Sequence, residues 1–175
     1  MRIRPFAPTD RGPVIDLWHR CGLVRPWNDP DRDLDRKLAD SPWGMLVGVA
    51  DPGRRPETRG PSSGPDSGDA AHGSVIASMM VGYDGHRGSV FYLAVDPVHQ
   101  GRGHGTALMA HAEQLLLARG CPKLHISVRA DNAAVIAFYE RRGYQLEGAD
   151  HAVTLGRRLI VDGPGPGQAA AGADA

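Results

Sequence analysis

In 175 residues the chain has two cysteines, two lysines and few aromatics (6%), and it carries no net charge at neutral pH. Each shortage excludes something. Cys21 and Cys121 cannot staple a fold, and a chain of this length does not need stapling, so they read as reduced thiols of a cytoplasmic protein. Zero net charge, with a sequence pI of about 7.1, argues against nucleic acid or an anionic membrane as partner. No apolar run approaches the length that spans a bilayer. The opening residues MRIRPFAPTD lack the apolar stretch of a secretory signal.

Glycine and proline, in contrast, are plentiful: 23 and 14 residues. Nine of the glycines and six of the prolines fall in two stretches, 52–73 (PGRRPETRGPSSGPDSGDAAHG) and 163–175 (GPGPGQAAAGADA). Neither stretch holds an aliphatic core former or an aromatic residue, so neither can bury itself. The expected organisation is one domain over 1–162 with a disordered low-complexity insert at 52–73, followed by a disordered tail at 163–175. The 140 residues outside both stretches carry the core-forming side chains and suffice for one domain.

Along that remainder, Arg2–Phe6 reads as a strand. Thr9 or Asp10 is placed to cap a helix with Val14, Trp18 and Cys21 on one face. Asp29-Pro30 opens a charged helix to about Asp40, and Met45–Ala50 is an apolar strand. Ser74–Tyr83 and Ser89–Val95 are strands joined by an Asp84-Gly85 turn. Gln100–Gly105 opens a helix running to Arg119, stopped by Gly120. Lys123–Arg129 reads as a strand, Asn132 caps a helix through Arg142 that Gly143 closes, and Tyr144–Leu159 adds one or two strands. The predicted order is β-α-α-β-β-β-α-β-α-β, an α/β arrangement with a mixed sheet and helices on its faces.

Glycines alternate at 101, 103 and 105 where a strand hands over to a helix. Glycine lets backbone approach a ligand closely, and first-turn N–H groups with the positive dipole end behind them attract anions, phosphates above all. A tight connection without a ligand is the plainer alternative. A Walker A loop is disfavoured because Gly105-Thr106 lacks the lysine. A dinucleotide fold is excluded because the glycines alternate, do not follow the strand directly, and the next strand ends in Ser127-Val128-Arg129 without an acid.

Leu93-Ala-Val-Asp-Pro97, Gln100-x-x-Gly103-x-Gly105, Asn132 and Phe138-Tyr139-x-x-x-Gly143-Tyr144 together resemble the GCN5-related N-acetyltransferase (GNAT) pattern. Leu23–Pro30 and Gly82–Gly88 are similar to its bacterial YpeA subgroup. The resemblance spans the whole 140-residue core. It implies a GNAT-type acyl-CoA N-acyltransferase fold and an acetyl-CoA-dependent N-acetyltransferase, moving an acetyl group directly to a primary amine on a small molecule, peptide or protein. Monomer or homodimer are both compatible with it. It further implies that the strand Leu93-Ala94-Val95 splays from Leu124–Val128 to admit the pantetheine arm, with a backbone N–H of the first strand polarising the thioester carbonyl. The pyrophosphate would lie on Gly101–Thr106, that is Gly101, Arg102, Gly103, His104, Gly105 and Thr106, with Gln100 opening the motif.

By the same resemblance Asn132 contacts the cofactor arm, although it serves equally as a helix cap. Tyr139 matches the general acid that returns a proton to the departing thiolate, although an aromatic at helical spacing is also ordinary core. In the ribosomal-protein N-terminal acetyltransferases a glutamate precedes the matching Val-Arg; here that position is Ser127, which is no base at neutral pH, so their peptide N-terminus activity is not carried over. His86, Asp84 and Tyr83 are chemical substitutes for the base, with a hairpin turn as the simpler reading of Asp84-Gly85. Arg25, Trp27, Asn28 and Asp29 fall in the connection that borders the acceptor site in this family; Trp27 would serve equally to anchor that loop. The absent glutamate keeps a second function class open, a non-catalytic acyl-CoA-binding or regulatory module. The eight histidines show no ligand spacing, so no metal is expected. Cys21 reads as core, and Cys121 has no nucleophile's partners.

Overall fold

The computed structural model describes residues 1–51 and 73–146. The expected insert, apart from Gly73, the tail and most of the terminal strands lie outside them. Among the described residues five strands form one sheet in the order β1-β2-β3-β4-β5: β1 Arg2–Pro5, β2 Met45–Val49, β3 Val75–Tyr83, β4 Gly88–Val95 and β5 Leu124–His125. The first four pair antiparallel and β5 joins β4 in parallel, so the sheet is mixed as predicted. Both sides of the insert meet in the ladder, where the Ala50 N–H donates to the Ser74 carbonyl at 3.0 Å.

Helices α1 (Arg11–Arg20) and α2 (Pro30–Asp40) cover one face. There Val14, Leu17, Trp18 and Leu34 pack on Met45, Val47, Met80 and Ala94. Helices α3 (His104–Leu117) and α4 (Ala133–Glu140) cover the other, where Leu108, Met109, Ala112 and Tyr139 meet Leu46, Ala77, Met79 and Val90. The period-2 alternation of the strands thus serves two cores at once.

Several element ends obey local rules. Asp29 caps α2, its carboxylate accepting from the N–H groups of Asp31 and Arg32 at 3.0 and 3.2 Å. Gly120 and Gly143 adopt φ of +74° and +83° and close α3 and α4. The Cys121 and Tyr144 N–H groups reach back five residues, to Leu116 and Tyr139.

Three expectations need correction. Asp10 makes no cap on α1; its carboxylate is taken by both Arg4 Nη atoms at 2.6 and 2.8 Å and by the Ala7 N–H at 2.7 Å. A bidentate guanidinium outbids a single helix N–H for a nearly buried carboxylate. The strand predicted over Lys123–Arg129 pairs only at Leu124 and His125. Helix α3 also starts later than Gln100, because Pro97–His99 form a 3-10 turn capped by Asp96 and Gly103 stands in left-handed backbone at its N-cap.

Candidate active site

Strands β4 and β5 pair only as Gly88↔Leu124 and Ser89↔His125. Among the described residues, Phe91–Val95 therefore have no β5 partner, and the two strands part toward their C-terminal ends. On its other edge β4 carries a bulge. Met80 pairs with Phe91 and Ser78 with Ala94, so Met79 alone faces both Tyr92 and Leu93. Tyr92 has φ +49°, and among the described residues it is the one non-glycine at positive φ. Such a conformation costs on the order of 1–3 kcal/mol and persists only where the surroundings hold it.

The bulge changes which way side chains point. Val90, Leu93 and Val95 pack with the α3–α4 core, while Tyr92 and Ala94 pack with the α1–α2 core. Phe91 precedes Tyr92 and lines a cavity on the α1–α2 face, 55% exposed. Two successive aromatics therefore emerge on one face. That cavity, of about 550 Å³, is also lined by Lys37, Asp40, Asp84, His125 and Ser127.

Beyond the parted ends of β4 and β5 comes the glycine loop. Gly101 and Gly103 have φ of +73° and +79°, and a Cβ on either would meet nothing within 4 Å. The loop thus presents bare backbone at the start of a 14-residue helix, the arrangement that suits an anion such as a pyrophosphate. Gln100 turns inward, its Nε2 donating to the Val95 carbonyl at 2.9 Å and tying the loop to β4. Gly105 faces α4: a Cβ there would lie 3.2 and 3.3 Å from the Phe138 ring. Thr106 Oγ1 accepts a hydrogen bond from Arg142, whose guanidinium carbon stands 3.5 Å from the Phe138 ring centroid.

Arg102 and His104 line a separate cavity of about 380 Å³ with His99 and Asp51, beside the β1–β3 side of the sheet. The His104 imidazole is pushed below its ordinary value, first by burial and then by the nearby N-terminal ammonium and Arg102. The structure therefore divides the expected cradle. Gly101 and Gly103 present open backbone, Gly105 and Thr106 dock α4, and Arg102 and His104 face the other way.

Tyr139 lies on α4, 8% exposed, one residue after Phe138. Its ring meets Phe138 and Tyr144 edge-on at 5.0 and 5.6 Å. Burial raises the phenol above its ordinary value, with Arg142 opposing weakly, so it stays protonated at neutral pH. Among the described residues its hydroxyl makes no hydrogen bond. Tyr144 is held by its own bond to Glu113 at 2.6 Å. Asn132 acts here as the cap of α4, its side chain accepting from the Val135 N–H at 3.3 Å.

Of the substitutes for a base, Asp84 and Tyr83 border the cavity and His86 does not. The Asp84 carboxylate accepts from the Arg87 and His86 N–H groups at 2.6 and 2.7 Å, which lowers its pKa and makes it the turn its sequence suggests. Cys21 is half-buried, its Sγ 3.3 Å from the Val95 carbonyl, and burial raises its thiol. No group of three or more His, Cys, Asp or Glu among the described residues could hold a metal ion, and no helix among them is long and apolar enough to cross a membrane.

Sequence reasoning missed the residues around the bulge. Trp18, Ser78 and Asp33 all contact Tyr92 or its neighbours. The one signal for them was a serine in the middle of an apolar strand.

The sequence pattern of the acetyltransferase (GNAT) family matches residues 15–144. An acetyltransferase of Yersinia pestis strain Pestoides F is 44% identical over 162 residues, covering 93% of this chain and 98% of the relative. An acetyltransferase of Pectobacterium atrosepticum matches at the same identity and coverage. Among solved structures, the ribosomal-protein-S18-alanine N-acetyltransferase of Escherichia coli has a TM-score of 0.60 at 24% identity, over 81% of this chain and 76% of that one. The PaiA N-acetyltransferase of Thermoplasma acidophilum, solved in complex with coenzyme A, has a TM-score of 0.62 at 15% identity, over 85% and 92%. These two share the fold. With its parted strands, its glycine loop and a family match over most of its length, the chain belongs to the GNAT acetyltransferase family.

Proposed function

We propose that the chain is an N-acetyltransferase that uses acetyl-CoA as donor and a primary amine as acceptor, by direct transfer. The observation that carries this reading is the continuity of two features: among the described residues β4 has no β5 partner after Ser89, and the bare backbone of Gly101 and Gly103 follows where that strand ends. An extended arm ending in a pyrophosphate fits such a gap with such a terminus. Acetyl-CoA supplies the acetyl thioester.

The chain's own groups then have distinct tasks. The N–H groups of the Gly101–Thr106 segment hold the pyrophosphate, each charge-assisted bond contributing about 1.5–3 kcal/mol. Bulged backbone leaves an N–H free of the ladder, and one from Leu93, Ala94 or Val95 donates to the carbonyl oxygen. The Tyr139 hydroxyl donates a proton to the leaving sulfur; burial keeps the phenol protonated, so the proton is in place when the thiolate departs. Asn132 and Gln100 shape the cradle's borders rather than reacting. The acceptor enters from the α1–α2 face, where Phe91 and the cavity around it lie.

An acceptor screen that reads free CoA thiol tests this. Release that depends on one class of amine is the expected result. Tight acetyl-CoA binding with the same slow release for every amine would instead favour an acyl-CoA-binding module without catalysis, the reading that Ser127 keeps in view.

A further inference from the structure

We propose that Ser78 and Trp18, together with Asp33, are positioning residues for the reaction: they clamp Tyr92 in its left-handed conformation and so aim the free backbone N–H of the β4 bulge. This rests on the proposed role of that N–H. Tyr92 is held at three points. Its carbonyl oxygen lies 3.5 Å from the Ser78 hydroxyl, which donates toward it. Its ring lies against the Trp18 ring, with centroids 4.1 Å apart and planes tilted by 30°. Its hydroxyl donates to Asp33 Oδ2 at 2.6 Å.

Ser78 is the link between these contacts. It is fully buried, and its hydroxyl accepts the Trp18 Nε1–H at 2.9 Å while donating toward Tyr92. A buried hydroxyl is tolerated where both its roles are filled, and here they join α1 to the bulge. Asp33 brings α2 into the same clamp. Both helices lie on the sheet face opposite α3, so none of the three residues borders the glycine loop.

The demand for a clamp follows from the backbone. An aromatic residue at φ +49° relaxes toward ordinary strand geometry when unsupported. Relaxation would turn Tyr92 away from Trp18 and rotate the peptide plane that precedes Leu93, while the extra residue of the bulge remains. The anion cradle, eight residues or more along the chain, would be left as it was. Loss of the clamp should therefore lower turnover and leave acetyl-CoA affinity in place.

The test reads the thioester carbonyl directly. Acetyl-CoA labelled with carbon-13 at the acetyl carbonyl is bound to the full chain, and its infrared stretch is compared with that of the free compound, alongside affinity by calorimetry. In the wild type the band moves to lower frequency, because an N–H donor polarises the carbonyl. Ser78→Ala should lose about half or more of that shift, and about tenfold in kcat with an amine taken up in the screen, while affinity stays within about twofold. Ser78→Thr, which keeps a hydroxyl, should restore the shift. Val47→Ala, a fully buried change in β2, should lower stability and leave the shift intact. If Ser78→Ala does not fold, Trp18→Phe decides by the same reading, since it keeps a ring beside Tyr92 and removes the N–H. A full shift in the variant that folds overturns the clamp alone. No shift in the wild type, with acetyl-CoA bound, overturns the backbone-donor role and the clamp with it.

Discussion

Replacing Gly103 by alanine separates a phosphate cradle from a mere connection, because the structure gives the two readings different consequences. At φ +79° and ψ 3°, an added Cβ is strained whatever the space around it. Left-handed backbone costs a non-glycine residue roughly 1–2 kcal/mol. The stiffer unfolded chain returns about 0.4–1 kcal/mol of that. The net loss is about 1 kcal/mol, a fall of about 2–4 °C in Tm for a chain of this size. A connection without a ligand would show this and nothing more.

The methyl group meets no protein atom within 4 Å, so it projects into the space that an anion on the α3 N-terminus must use. Losing one charge-assisted N–H contact there is worth about 1.5–3 kcal/mol, or roughly ten- to a hundredfold in Kd for acetyl-CoA. Gly103→Val should weaken binding further. Gly105→Ala is the contrast: its Cβ presses on the Phe138 ring at 3.2–3.3 Å, so it should disturb α4 and turnover more than affinity. Calorimetric titration beside a thermal melt measures both quantities. Wild-type affinity in Gly103→Ala and Gly103→Val, with only Tm reduced, would refute the cradle.

Tyr139→Phe removes a hydroxyl that has no partner among the described residues, so Tm and acetyl-CoA affinity should hold while kcat falls about a hundredfold or more; equal turnover would take Tyr139 out of the mechanism. Three of the four tyrosines, Tyr92, Tyr139 and Tyr144, have phenols raised first by burial, and Tyr92 and Tyr144 also by bonds to Asp33 and Glu113. Their folded state keeps protons that the unfolded chain releases near pH 10, so the guanidinium midpoint should be insensitive to them below about pH 10 and fall above it. Native tyrosines that all ionise at the ordinary value would contradict that. Arg4→Leu leaves the nearly buried Asp10 carboxylate without its guanidinium, and a loss of about 3 kcal/mol is expected in denaturant titration; a loss under about 1 kcal/mol would mean the pair is merely a surface bridge.

What was legible in the sequence was whatever a few neighbouring residues decide. Asp29 before Pro30, Gly120 and Gly143 after their helices, and Asp84-Gly85 between strands all act over two to five residues, and each does in the structure what its spacing implies. The glycine loop belongs with them, since positive φ at Gly101 and Gly103 is a local property. Partners far along the chain were not legible. Asp10 looks like a cap until Arg4 in β1 claims it. Lys123–Arg129 has strand composition throughout, yet only two of its residues find β4.

The β4 strand is the sharpest case. In Ser89-Val-Phe-Tyr-Leu-Ala-Val95 a period of two assigns Tyr92 to the same face as Val90, beneath α3 and α4. The structure sends it to the other face, against Trp18. Nothing in the strand's own residues demands this; the contacts that hold it come from α1, α2 and β3, 14 to 74 residues away in sequence. Local preference and tertiary contact disagree at this residue, and such disagreements are maintained where a backbone has work other than folding. Tyr92 directly precedes Leu93-Ala94-Val95, the segment whose N–H is proposed to meet the thioester. A bulge leaves its extra residue unpaired in the ladder, and the proposed donor is an N–H beside it. The failure of alternation at Tyr92 is thus itself an argument for where the chemistry takes place.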